Sequence, residues 1–166
     1  PLQGIADKLF PSISVLEICQ HRIKEKETLN KLGIKTAPFM PVHNQSDLYT
    51  AVKKIGTPAV LKTATMGYDG KGQWAIKVWP VSSDQRPEED SLSLVTGHRS
   101  LTTEYILEGF VNFSMEISVI VARNESGEVK CYPPVHNTHK NHILHETIAP
   151  APISDALAAK AESMAR

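Results

Sequence analysis

Residues Val60-Leu61-Lys62-Thr63-Ala64-Thr65-Met66-Gly67-Tyr68-Asp69-Gly70-Lys71-Gly72-Gln73-Trp74-Ala75-Ile76-Lys77-Val78 decide how the chain is read. Two apolar, β-branched segments with strand character flank a short loop that holds three glycines and an aspartate. Gly67, Gly70 and Gly72 let the backbone take left-handed angles and approach a ligand closely, so that successive N–H groups can converge on phosphate oxygens. Lys62 and Lys71 are placed to add positive charge. The stretch has no G-x-x-x-x-G-K-[ST] pattern and no G-x-G-x-x-G opening a helix. The device it describes is instead a flap between antiparallel strands that closes over a nucleotide. By glycine count alone the same residues would make a plain hairpin turn; their order is what distinguishes the two.

Outward from the loop, the chain is long enough, at 166 residues, for one good core or two small ones. Its 18 basic and 18 acidic residues cancel, which argues against a nucleic-acid or anionic-membrane partner. No apolar run approaches the roughly 18 residues of a membrane span, and no signal-peptide pattern opens the sequence. Cys19 and Cys131 lie in separate elements without a C-x-x-C pairing, as reduced thiols of a cytoplasmic protein would. The chain starts at Pro1 and stops within Ser154 to Arg166, a strong helix former, so it is expected to be an internal piece of a longer enzyme.

Residues 1–11 carry no periodicity and read as a linker. Ser14 with Glu17 predicts a capping box for a helical region that runs to Gly33, with a break near Gln20-His21. Ala37 to His43, bracketed by Pro38 and Pro41, predicts an edge strand. Ser46 is the expected cap of a helix whose Leu48, Ala51, Val52 and Ile55 share one face, ended by Gly56 and Pro58. Residues 80–100 read as a solvated loop, Leu101 to Ile106 as a strand and Glu108 to Val111 as a crossing segment. Glu116 to Arg123 and Val129 to Tyr132 predict a hairpin turning through Asn124-Glu125-Ser126-Gly127. The sum is an α+β fold.

Lys-Thr-x-x-x-Gly-Tyr-Asp-Gly-Lys-Gly-Gln, residues 62–73, resembles the central loop of the N5-carboxyaminoimidazole ribonucleotide synthetases, ATP-grasp enzymes of purine biosynthesis. His21 to Lys26, Gly33 to Phe39, Glu108 to Ser118, Tyr132 to His139 and Ala149 to Ile153 follow that family in order. The resemblance covers nearly everything from Pro11 onward. It implies lead-in helices over 12–36, the small ATP-grasp lid over 37–107 and the start of the central ATP-grasp domain over 108–166. It also implies a reaction in which ATP activates bicarbonate and the amine of 5-aminoimidazole ribonucleotide is carboxylated, giving ADP and phosphate.

The resemblance further implies roles for individual residues. Arg22 and Lys62, with Gly67, Gly70, Lys71 and Gly72, would hold the nucleotide phosphates. Glu108, Gly109, Phe110 and Val111 would read adenine through backbone groups, Glu116 would bond the ribose hydroxyls, and His139 would be a nucleotide-site residue in a loop. Tyr68 and Asp69 would face the aminoimidazole ribonucleotide. Asp69 would orient or deprotonate its amine beside Lys71, and Gln73 would serve either ligand. Magnesium is implied with ATP, its ligands falling beyond Arg166, and a homodimer is implied for the whole enzyme.

Two other readings are open. The enzyme could be another ATP-grasp ligase, of the formate-using glycinamide ribonucleotide transformylase or biotin carboxylase type, from which Gly-Tyr-Asp-Gly-Lys-Gly-Gln separates it. Alternatively, His136, His139, His142 and His145 recur every third residue, a spacing that could line imidazoles along a helix as metal ligands in a non-catalytic module. Pro133, Pro134, Asn137 and Asn141 speak against a helix there, and no metal site is expected in this chain.

Overall fold

The break expected near Gln20-His21 is what brings the first helices onto the rest of the chain. In the computed structural model, which describes residues 11–66, 72–77 and 104–166, helix α1 (Ile13–Cys19) and helix α2 (Arg22–Lys31) are separated there. His21, left extended, forms an antiparallel bridge with Thr65. Ser12, not Ser14, is the N-cap of α1. The expected Ser14/Glu17 box does not form because Ser14 already lies inside the helix, with its hydroxyl 2.9 Å from that of Ser12. Gly33, at φ +79°, follows the end of α2 and turns the chain as only glycine does easily.

The chain divides into two compact units, Pro1–Val111 and Asn112–Arg166. After α1 and α2, the first contains β1 (Phe39–Val42), α3 (Gln45–Ile55), β2 (Ala59–Thr63), β3 (Gln73–Ile76) and β4 (Tyr105–Gly109). These strands form one antiparallel sheet in the order β1-β4-β2-β3. β1 sits at its edge, where Pro41 removes no needed ladder donor. The strand expected over Leu101 to Ile106 instead runs to Gly109 and occupies an interior position; residues 101–103 lie outside the described residues. Glu108 and Gly109 are thus sheet residues and not part of a crossing segment.

Helix α3 is capped one turn-step earlier than expected. Asn44, not Ser46, is its N-cap: Asn44 Oδ1 accepts from the Asp47 amide at 2.9 Å, while Asp47 Oδ2 accepts from the His43 amide at 3.0 Å. Two otherwise orphaned donors are satisfied by this reciprocal pair, which a serine at position 46 could not reach. Leu48, Ala51 and Val52 are buried on the predicted face, and Gly56 ends the helix at φ +84°.

Pairing register sorts the sheet into two unlike faces, because successive side chains alternate. Ala59, Leu61, Ile76, Tyr105, Leu107 and Val42 pack with Leu48, Ala51 and Val52 of α3 into the main core. Half-buried Trp74 packs against this core, 5.9 Å from Tyr105 between ring centroids. Leu48, Leu61 and Leu107 are fully buried, and each removal of such a side chain from water is worth about 2 kcal/mol. The opposite face carries Ile106, which clusters with Ile23 of α2, Ala64 and Phe39. Lys62, Gln73 and Glu108 share that second face by register.

The second unit is built of β5 (Glu116–Ser118), β6 (Val121–Arg123), β7 (Val129–Cys131), β8 (Val135–Lys140), β9 (Ile143–Ile148) and α4 (Asp155–Ala165). The single strand expected over Glu116 to Arg123 is two: β5 pairs with β8, whereas β6 pairs with β7. The predicted turn joins β6 to β7, with Asn124 Oδ1 accepting from the Glu128 amide at 2.8 Å and Gly127 at φ +87°. β8 and β9 form a hairpin whose two-residue turn, Asn141 and His142, has φ of +51° and +65°. Positive φ at both positions is the type I′ arrangement that matches strand twist. Helix α4 is capped by Ser154, whose hydroxyl accepts from the Leu157 amide at 3.3 Å.

Candidate functional site

The expected phosphate lysine sits on the charged face of the first sheet. Lys62 Nζ donates to Glu108 Oε2 at 3.0 Å, and Lys26 Nζ reaches the same oxygen at 3.5 Å. Lys62 and Glu108 are diagonal neighbours on adjacent strands, since Lys62 stands opposite Ile106 and Glu108 opposite Val60. Glu108 is buried at 8% exposure, a position a carboxylate tolerates only when paired. That pairing is why β4 can extend through a charged residue. The three groups carry two positive charges against one negative.

Arg22 anchors the strand that leads into the glycine loop. Its backbone amide donates to the Ala64 carbonyl at 2.8 Å, and its Nη1 donates to the carbonyls of Thr63 and Met66 at 2.8 and 2.7 Å. Met66 holds a left-handed φ of +63° at the point where the chain leaves the sheet. Beside it, His21 Nε2 lies 2.8 Å from Glu104 Oε2. Across the loop, Gly72 accepts from the Thr63 amide at 3.0 Å and has φ +79°. Gln73 stands opposite Lys62 in the β2–β3 register. Gly67, Tyr68, Asp69, Gly70 and Lys71 lie outside the described residues.

Downstream of Glu108, the Gly109 amide donates to Pro38 O at 2.8 Å and the Phe110 amide to Pro58 O at 3.1 Å. These two amides are therefore already engaged within the first unit. Phe110 and Val111 are both exposed.

In the second unit the structure brings together two residues that the sequence presented separately. Glu116 Oε1 lies 3.3 Å from His139 Nδ1, one on β5 and the other on β8. His139 belongs to a strand, not to the loop expected for it, and a register shift falls between Thr138 and His139. His136, His139 and His145 lie on strands and His142 in the turn, so the helical alignment that a metal site would need does not arise. Among the described residues, no group of three or more His, Cys, Asp or Glu could hold a metal ion.

Lys26 is the residue that sequence reasoning missed. Its spacing of four from Arg22 puts both on one side of α2, and this was the available signal. Its convergence on Glu108 depends on packing that no local pattern records.

The first unit presents an antiparallel sheet with Lys62 and Glu108 on the face opposite its main core, and residues 27–166 match the family model described as the ATP-grasp domain. The chain belongs to the ATP-grasp family. Its curated relatives include the N5-carboxyaminoimidazole ribonucleotide synthase of Bacillus subtilis, 36% identical over 151 residues, with 91% of this chain and 37% of the relative covered. A bifunctional purine synthesis protein of Dictyostelium discoideum is 44% identical over 147 residues, covering 89% of this chain and 14% of that protein. Among solved structures, an N5-carboxyaminoimidazole ribonucleotide synthetase in complex with ADP is similar at TM-score 0.83 and 37% identity, covering 99% of this chain and 41% of that one. The enzyme of Aspergillus clavatus, in complex with ADP and 5-aminoimidazole ribonucleotide, is similar at TM-score 0.78 and 26% identity, covering 99% and 41%. The chain thus spans well under half the length of the relatives it matches. Among the described residues, no helix is long and apolar enough to cross a membrane.

Proposed function

We propose that this chain is the lid and early central part of an ATP-dependent carbon–nitrogen ligase that carboxylates 5-aminoimidazole ribonucleotide with bicarbonate. The observation that carries this reading is Lys62: a lysine on the sheet face opposite the main core, near the end of the strand that precedes Gly67 to Lys71, paired with Glu108 within a triad of two ammonium groups and one carboxylate. Lys62 and Arg22 would hold the phosphates with Gly67, Gly70, Lys71 and Gly72. Glu108 to Val111 would border adenine, and Glu116 and His139 would bind the ribose side. Tyr68, Asp69 and Gln73 would face the second substrate.

Bicarbonate is a poor electrophile because its oxygen is a bad leaving group. In the proposed reaction a bicarbonate oxygen attacks the γ-phosphorus, ADP departs, and carboxyphosphate forms. The amine nitrogen then bonds to the carboxyl carbon as phosphate leaves, and the amine proton passes to Asp69. A closed site would exclude water from this intermediate. Magnesium bound with ATP would supply positive charge that offsets the phosphate oxygens. Cytoplasmic location and a homodimer complete the proposal for the whole enzyme.

Calorimetry of the 166-residue chain tests the reading. ATP should give saturable heat that Lys62→Ala removes, whereas zinc should give no stoichiometric binding. Zinc heat without ATP heat would favour the metal-module reading and reject this one. The chain by itself is expected to bind ATP without turnover, so phosphate release matching a complete enzyme would also contradict the proposal.

A further inference from the structure

Lys24 and Lys31 of α2 project into solvent, as a lysine on a polar helix usually does, but Lys26 does not. Its side chain is 16% exposed, with Nζ 5.9 Å over the Phe39 ring and 3.5 Å from Glu108 Oε2. An ammonium held inward by an aromatic face and a buried carboxylate is a built position and not a solvated charge.

We infer that Lys26 is a positioning residue that retains Glu108 when Lys62 turns toward the nucleotide phosphates. The inference rests on the ATP-binding reading above. With Lys62 as its sole partner, Glu108 would oppose phosphate binding, because any movement of Lys62 away from Oε2 would leave a buried carboxylate unpaired. Lys26 shares that same oxygen, so Lys62 can leave without stranding it. Lys26 therefore acts through Glu108 and touches no phosphate itself.

A double-mutant cycle on the 166-residue chain, read by calorimetry with ATP and magnesium, tests the inference. Lys26→Met should weaken ATP binding about tenfold when Glu108 is present. The same substitution in a Glu108→Gln background should change affinity less than about twofold, because no carboxylate remains to be held. Lys26→Arg, which keeps the charge, should retain most of the affinity. A packing role alone would give equal losses in both backgrounds, and that result overturns the inference. So does ATP affinity that falls with Lys62→Ala but is untouched by Lys26→Met, an outcome that leaves the ATP-binding reading standing. No ATP binding by the unaltered chain removes both. Melting curves check that each variant folds, and Lys26→Gln replaces Lys26→Met in the cycle if the latter does not.

Discussion

Gly72→Ala probes the residue that stands immediately before β3 and pairs with Thr63. Two separable penalties are expected. Gly72 has φ +79°, and an L-residue in that region is disfavoured by about 1–2 kcal/mol. A Cβ at Gly72 would also stand 3.1 Å from Thr63 Oγ1 and 3.3 Å from Thr63 Cγ2, so the threonine must shift; overpacking of this kind costs about 1 kcal/mol or more. Together these give a loss of roughly 2–4 kcal/mol, which for a unit of this size lowers the melting temperature by several degrees per kcal/mol. Thr63→Ala removes both contacting atoms, and its buried hydroxyl has no hydrogen-bond partner among the described residues, so alone it should be nearly neutral. In the Thr63→Ala background, Gly72→Ala should therefore lose only the backbone part, leaving a coupling of about 1 kcal/mol. Urea denaturation of the four chains measures it. Equal losses in both backgrounds would refute the steric part, and an unchanged stability in Gly72→Ala would refute the whole account of this position.

Three further outcomes follow from the geometry. Asn44→Ala should destabilise by about 1 kcal/mol through loss of the α3 cap while Ser46→Ala stays within about 0.5 kcal/mol; the reverse order in a urea titration would restore serine as the cap. His142→Gly should stabilise the second unit by about 0.5–1 kcal/mol, because the turn holds φ +65° there, and a lowered melting temperature would count against the type I′ turn. Arg22→Lys cannot span Thr63 O and Met66 O from one planar group, so amide exchange at the base of the loop should quicken severalfold; unaltered protection would show that the anchor lies elsewhere.

Much of the fold was legible because its signals are local. Apolar segments around Leu61 and Trp74, a helix stop at Gly33 and a turn at Asn124 to Gly127 each follow from residues that act on their own neighbours. The resemblance to the ATP-grasp synthetases added order to these pieces, and the family match agrees with it. What was not legible depends on partners distant in sequence. Glu108 reads in the sequence as the start of a crossing segment after a strand ending at Ile106, yet Lys62 and Lys26 carry it inside the sheet. The histidines at 136, 139, 142 and 145 share a spacing compatible with a helix, and it is pairing of β8 with both β5 and β9 that makes the segment a hairpin. Competing caps, Asn44 against Ser46, differ by where the chain turns and not by composition.

The alternation of side chains along β2 means that odd-numbered positions answer to the apolar interior and even-numbered ones to the charged side. A slip of a single residue during folding would drive Lys62 into the leucine layer and push Leu61 out among the cations, so such misthreaded chains are penalised twice over. The lysine proposed for ligand work therefore also polices assembly. The same parity separates two kinds of change along this strand: substitutions at 59 and 61 tune how firmly the sheet holds, and those at 60 and 62 tune what it attracts.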